Sequence, residues 1–118
     1  MSEKPTIVRL TLEFRRRAKR SRIPDRELAI ILDTLKRSPE TGVVIPGTDG
    51  ARKIRFAGRG KGKSGRYRVI TCFVSSGSAD SIYLFDISAK GDRVDLTQAE
   101  RNALRVIISQ IRAAHEAS

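Results

Sequence analysis

Two periods of apolar spacing run through this chain and divide it into elements. Leu28, Ile31, Leu32 and Leu35 recur at i, i+3, i+4 and i+7, which is one face of a helix. Pro24 suits the beginning of that helix, and Asp25 and Glu27 complement its positive end. Pro39 and Gly42 stop it near Arg37. Before it, Leu12, Phe14 and Ala18 form a narrow apolar side on a segment otherwise filled by Arg15, Arg16, Arg17, Lys19 and Arg20. This predicts a first helix, broken at Arg22 to Pro24 and paired with the second as an antiparallel hairpin. Leu104, Ile107, Ile108 and Ile111 give a last helix one stripe to about Ala114, opened by a capping box at Thr97 and Glu100.

Between and before the helices the period shortens to two. Thr6 to Leu10 predicts a first strand. Arg52 to Phe56 alternates polar and apolar positions, Arg66 to about Val74 offers Val69, Ile70 and Phe73 as core residues, and Ile82 to Ile87 predicts a further strand. Turn residues separate them: Pro46, Gly47, Asp49 and Gly50 in one connector, Gly58 to Gly65 at a hairpin tip, Ser75 to Ser78 in a tight turn, and Gly91 with Asp92 before the last helix. The order β-α-α-β-β-β-α reads as an α+β fold, an antiparallel sheet with helices packed on one face and an open basic face. At 118 residues the expectation is one domain over 1–118.

Charge changes this picture more than composition does. The chain carries 24 Lys and Arg against 13 Asp and Glu, a formal net charge of +11, which raises the local concentration of a polyanion. Its single cysteine, Cys72, rules out an internal disulfide and a cysteine-built zinc site, and sits mid-strand as a packed hydrophobe. Met1 to Pro5 is polar, and no apolar run reaches the roughly 18 residues of a membrane span. The expected setting is the cytoplasm.

The positive charge concentrates between Arg52 and Arg68: Arg52, Lys53, Arg55, Arg59, Lys61, Lys63, Arg66 and Arg68, with no Asp or Glu among them. Strand alternation sends Lys53 and Arg55 to the side opposite Ile54 and Phe56. With Arg66 and Arg68 on the neighbouring strand they converge on a rigid patch suited to a phosphate and its flanking backbone. Gly62, Lys63 and Ser64 resemble the end of a phosphate-binding GKS loop. That motif needs a glycine where Ala57 stands, and a helix where a strand follows, so no nucleotide cofactor is expected. Tyr67 and Tyr83 each offer a stacking surface for a base but are at least as well suited to the core. His115, the one histidine, falls on a frayed end, and the scattered Asp25, Glu27, Asp33, Asp80, Asp86, Asp92 and Asp95 match no metal or paired-carboxylate pattern.

The run IPGTDGARKIRFAGRGKGKSGRYRVI, Ile45 to Ile70, resembles the RelE/HigB family of bacterial toxin-antitoxin toxins, particularly its HigB-like branch with an IPGTGG, RKxR and GKxGGxRV pattern. The helix pair, the strand ending in Ala89 and Lys90, and DLTQAER at Asp95 to Arg101 extend the likeness over nearly the whole chain. It implies a microbial-RNase-like fold and a ribosome-dependent endonuclease of messenger RNA, with no metal and no cofactor. By position it implies Lys53, Arg55, Arg68 and Lys90 as catalytic residues. Arg52, Arg59, Lys61, Lys63 and Arg66 follow as contacts to mRNA or ribosomal RNA. It also implies a helix-turn-helix antitoxin as partner. Leu96 stands where RelE has a catalytic tyrosine, and Ser88 where many HigB-like members have an aromatic, which leaves the proton donor open. Two other readings remain at this point: a ParE-like toxin acting on gyrase, and a non-catalytic RNA- or ribosome-binding domain.

Overall fold

The computed structural model describes residues 4–57, 66–89 and 95–117. The elements are β1 (Thr6–Leu10), α1 (Leu12–Arg20), α2 (Asp25–Arg37), β2 (Val43–Val44), β3 (Ala51–Ala57), β4 (Arg66–Ser75), β5 (Asp80–Ala89) and α3 (Gln98–Glu116). The expected α+β fold is present, with one strand more than the pattern predicts, because the two residues of β2 are too few for alternation to register.

The strands form a five-stranded sheet in the order β1-β5-β4-β3-β2. It is mixed, not antiparallel throughout. β2, β3, β4 and β5 pair antiparallel, and β1 lies parallel to β5 with Val8 opposite Ile82. A parallel neighbour needs a long crossover, and the chain between β1 and β5 supplies one through α1, α2 and three strands. Thr11 fixes the turn from β1 into α1: its hydroxyl accepts from the Phe14 N–H at 3.2 Å and donates to the Leu84 carbonyl at 2.9 Å. α1 ends where Arg22 takes a left-handed φ of 54°, and α3 begins on the reciprocal capping box of Thr97 and Glu100.

The helices do not share one face. Phe14, Ala18, Ile31 and Leu35 of α1 and α2 pack with Ile54, Val69, Ile82, Leu84 and Ile87 on one side of the sheet. Ile108 of α3 packs with Ile70, Cys72, Val74 and Phe85 on the other. The physical reason lies in β4, where Val69 and Ile70, of opposite parity, are both buried. A strand apolar on both sides needs cover on both sides. The face expected to be open is therefore roofed in part by α3, and the basic residues occupy what the helix leaves. Ile107, an expected core residue, is 44% exposed.

A bulge in β5 sets which side chains meet. Ile70 pairs with Asp86 and Thr71 with Leu84, so Phe85 is the extra residue. Past it the parity of β5 is shifted, which sends Ile87 to the α1–α2 side with Leu84 and brings Ser88 opposite Arg68.

Gly42 holds the approach to β2 at a φ of +109°, and a Cβ there would meet the Lys53 carbonyl oxygen at 2.8 Å and Ile54 Cγ1 at 2.4 Å. Both the left-handed backbone and the backbone contact oppose a side chain. Gly42→Ala is expected to cost more than about 1 kcal/mol, read as a lowered midpoint in urea unfolding. An unchanged midpoint would contradict the argument.

Candidate nucleic-acid interface

β3 and β4 place three cations on one side of the sheet. Lys53 is paired with Ile70, and Arg55 directly with Arg68. Because Ile70 belongs to the cluster under α3, all three lie by register on the α3 side, beyond the start of that helix. Two arginines directly across an antiparallel pair repel one another. An anion between them converts that cost into binding.

α3 and the residues leading into it add two more groups, Asp95 and Arg101. Asp95, just ahead of the capping box, has Oδ1 3.9 Å from Lys53 Nζ and Oδ2 3.8 Å from an Nη of Arg101. The Leu96 N–H donates to Asp95 Oδ1 at 2.8 Å. That hydrogen bond first, and then the positive charge of Lys53, Arg101 and Arg68, holds the Asp95 carboxyl below its ordinary pKa. Arg68 Nε and Arg101 Nε are both buried and have no hydrogen-bond acceptor among the described residues. A buried donor left unmade costs on the order of 1–3 kcal/mol, more when charged, and both belong to arginines whose charge acts on Asp95. The signal for Asp95 and Arg101 was DLTQAER, which marks a helix start. What brings them to the site is the docking of α3, a long-range contact that local pattern does not report.

Arg52 is paired with Thr71, opposite in parity to Lys53, and donates to the Gly42 carbonyl at 3.0 Å. It braces the edge strand. Arg66 opens β4 across from Ala57. Arg59, Lys61, Lys63 and Lys90 lie outside the described residues. Leu96 packs against the apolar cluster of α3, and Ser88 is buried beside Arg68's strand position. Neither side chain takes the place of a phenol.

The remaining polar candidates are structural. His115 is not a frayed tail: its Nε2 lies 2.7 Å from the Tyr83 hydroxyl, and the two rings meet edge to face. Cys72 is fully buried, and burial raises its thiol pKa, so it is a packing residue. Tyr67 donates to Glu27 Oε1 and so ties the base of the β3–β4 hairpin to α2. Burial first, and then the Glu27 carboxylate, push the Tyr67 phenol up to about 12. A neutral phenol is thus favoured by folding. The sign follows: this contribution is whole below pH 10, the ordinary phenol value, and is lost as pH rises toward 12. Absorbance titration is expected to show one of the two tyrosines ionising near pH 12, and earlier in Glu27→Gln. Two tyrosines ionising together near pH 10 would refute the assignment.

Fold and site define the class: a mixed-sheet α+β domain whose open end presents clustered guanidinium and ammonium groups beside a capped helix. The family model described as "RelE toxin of RelE / RelB toxin-antitoxin system" matches residues 7–118. The chain belongs to the RelE toxin family. Its role is that of a toxin in a toxin-antitoxin system, with an antitoxin as its partner. Among the described residues no helix is long and apolar enough to cross a membrane.

Proposed function

We propose that this toxin is a ribosome-dependent endonuclease that cuts messenger RNA and thereby halts translation. The observation that carries the reading is the Arg55–Arg68 pair with Lys53 on the same side of a rigid sheet. Strands fix side chains more closely than loops do, and converging cations are what a phosphoryl transition state requires.

In the proposed reaction the ribose 2′-oxygen attacks the adjacent phosphorus. The O2′–P bond forms and the P–O5′ bond breaks, leaving a 2′,3′-cyclic phosphate and a 5′-hydroxyl. Arg55 and Arg68 hold the non-bridging oxygens, whose charge grows in the pentacovalent state. Guanidinium groups do not give up a proton in proteins, so proton exchange with the 2′- and 5′-oxygens falls to Lys53 and Lys90. The basic residues Arg59, Lys61, Lys63 and Arg66 add sequence-independent attraction to mRNA and ribosomal RNA that weakens with salt. Inhibition follows from covering this basic end, and the proposed antitoxin is a helix-turn-helix protein with an acidic or apolar segment that does so.

Primer extension on messages recovered after brief induction tests the reading. Discrete cuts within translated codons are expected. DNA damage linked to gyrase would point instead to ParE-like action, and ribosome binding without cuts to a non-catalytic domain.

A further inference from the structure

The Asp95 carboxylate contacts the cationic end of the sheet from just ahead of α3. It lies within 4 Å of both Lys53 and Arg101, yet at 3.9 and 3.8 Å it makes no hydrogen bond to either. It is 51% exposed. A fully formed ion pair would close to about 2.7–2.9 Å. The geometry is that of a loosely held counter-ion among cations that retain unused donors. Among the described residues, Arg68 Nε and Arg101 Nε are those donors. Arg101 comes from α3 and Arg68 from β4, and both act with Lys53 on the Asp95 carboxylate.

We infer that Arg101 is a phosphate-binding residue of this site, acting with Lys53 and Arg68, and that Asp95 is the internal anion which a phosphodiester displaces. The inference rests on the RNA reading proposed above and adds a residue from the helix to a site otherwise built from strands. A phosphodiester supplies what Asp95 does not. Its two non-bridging oxygens accept from two guanidinium groups at once, and it approaches from solvent without the tether to Leu96. Asp95 keeps the cations from repelling one another in the free protein. Because its carboxylate must move aside, it weakens RNA binding while it stabilises the empty site.

The test is fluorescence anisotropy of the full chain with a 12-nucleotide single-stranded RNA carrying 2′-O-methyl riboses, which binds and is not cut, over a series of salt concentrations. Arg101→Ala is expected to bind roughly tenfold more weakly, with the salt slope reduced by about 0.7. Arg105→Ala, which removes the same charge from an exposed position on the same helix, is expected to change affinity less than about twofold. Arg101→Lys should fall between, since it keeps the charge and loses the Nε–H donor. Asp95→Asn, which retains the acceptor for Leu96, is expected to bind about two- to fivefold tighter, and this gain should shrink when Arg101 is also alanine. Thermal melts by circular dichroism establish that each variant is folded. Equal effects of Arg101→Ala and Arg105→Ala, or weaker binding by Asp95→Asn, overturn the inference while leaving the strand-borne site standing, provided Arg68→Ala binds weakly. Unchanged binding by Arg68→Ala, or no binding by the unaltered chain even at low salt, overturns both readings.

Discussion

Arg68→Ala is expected to slow cleavage of a translated message by about 10²–10³-fold, equivalent to roughly 2.7–4 kcal/mol of transition-state stabilisation, the range measured when one preorganised donor to a developing anion is removed. The size follows from position. Arg68 stands directly across from Arg55 on an adjacent strand, and its buried Nε has no acceptor among the described residues. Its interaction is therefore strongest where negative charge accumulates on the phosphate. A residue of that kind lowers the rate at saturation more than it weakens binding. Single-turnover cleavage on programmed ribosomes, with binding measured separately, distinguishes the two. Lys53→Ala is expected to lower cleavage too, through the proton it exchanges and the charge it contributes. Arg68→Lys should recover part of the loss, because a lysine restores charge without the planar fork of donors. Undiminished cleavage by both Arg68→Ala and Lys53→Ala would sink the assignment of the site.

Much of this site is legible in the residues because strand alternation is a strict local rule. Lys53 and Arg55 share a parity, Ile54 and Phe56 the other, and the β3–β4 register brings Arg68 across from Arg55 as the hairpin requires. The helix boundaries of α2 and the capping box of α3 are local too, and both stand where their punctuation places them. What the pattern leaves hidden is long-range. Nothing in Thr6 to Leu10 says which strand it will join, and the parallel pairing with β5 depends on where the intervening chain returns. The placement of α3 on the far side of the sheet was implicit in the consecutive burial of Val69 and Ile70, yet a run of apolar residues in a strand is easily taken as one thick face. That misplacement has a functional consequence. With all helices on one side, Asp95 and Arg101 stand away from the basic patch. With α3 on the other, they stand within it.

The packing of α3 then becomes part of the site. Ile108 is its one buried residue, fully enclosed with Ile70, Cys72, Val74 and Phe85. Around it, Arg112 donates to the Asp49 carbonyl at 3.0 Å through Nη2 and lies 3.7 Å from the Asp49 carboxylate through Nε. This latch is partly exposed and contributes little beside the buried side chain. Ile108→Ala is accordingly expected to cost about 2–5 kcal/mol, the range for emptying a fully enclosed isoleucine site. Ile107→Ala, the same change one position earlier on a side chain 44% exposed, should alter stability by no more than about 0.5 kcal/mol. Denaturant unfolding of the two variants makes the comparison, since helix propensity changes identically in both. The larger effect should also appear in function. A loosened α3 carries Arg101 and Asp95 away from Lys53, so RNA binding by Ile108→Ala should approach that of Arg101→Ala even where most molecules remain folded. Equal stability of the two alanine variants would mean that α3 is not held by Ile108, and that the helix-borne half of the site is positioned by something other than this contact.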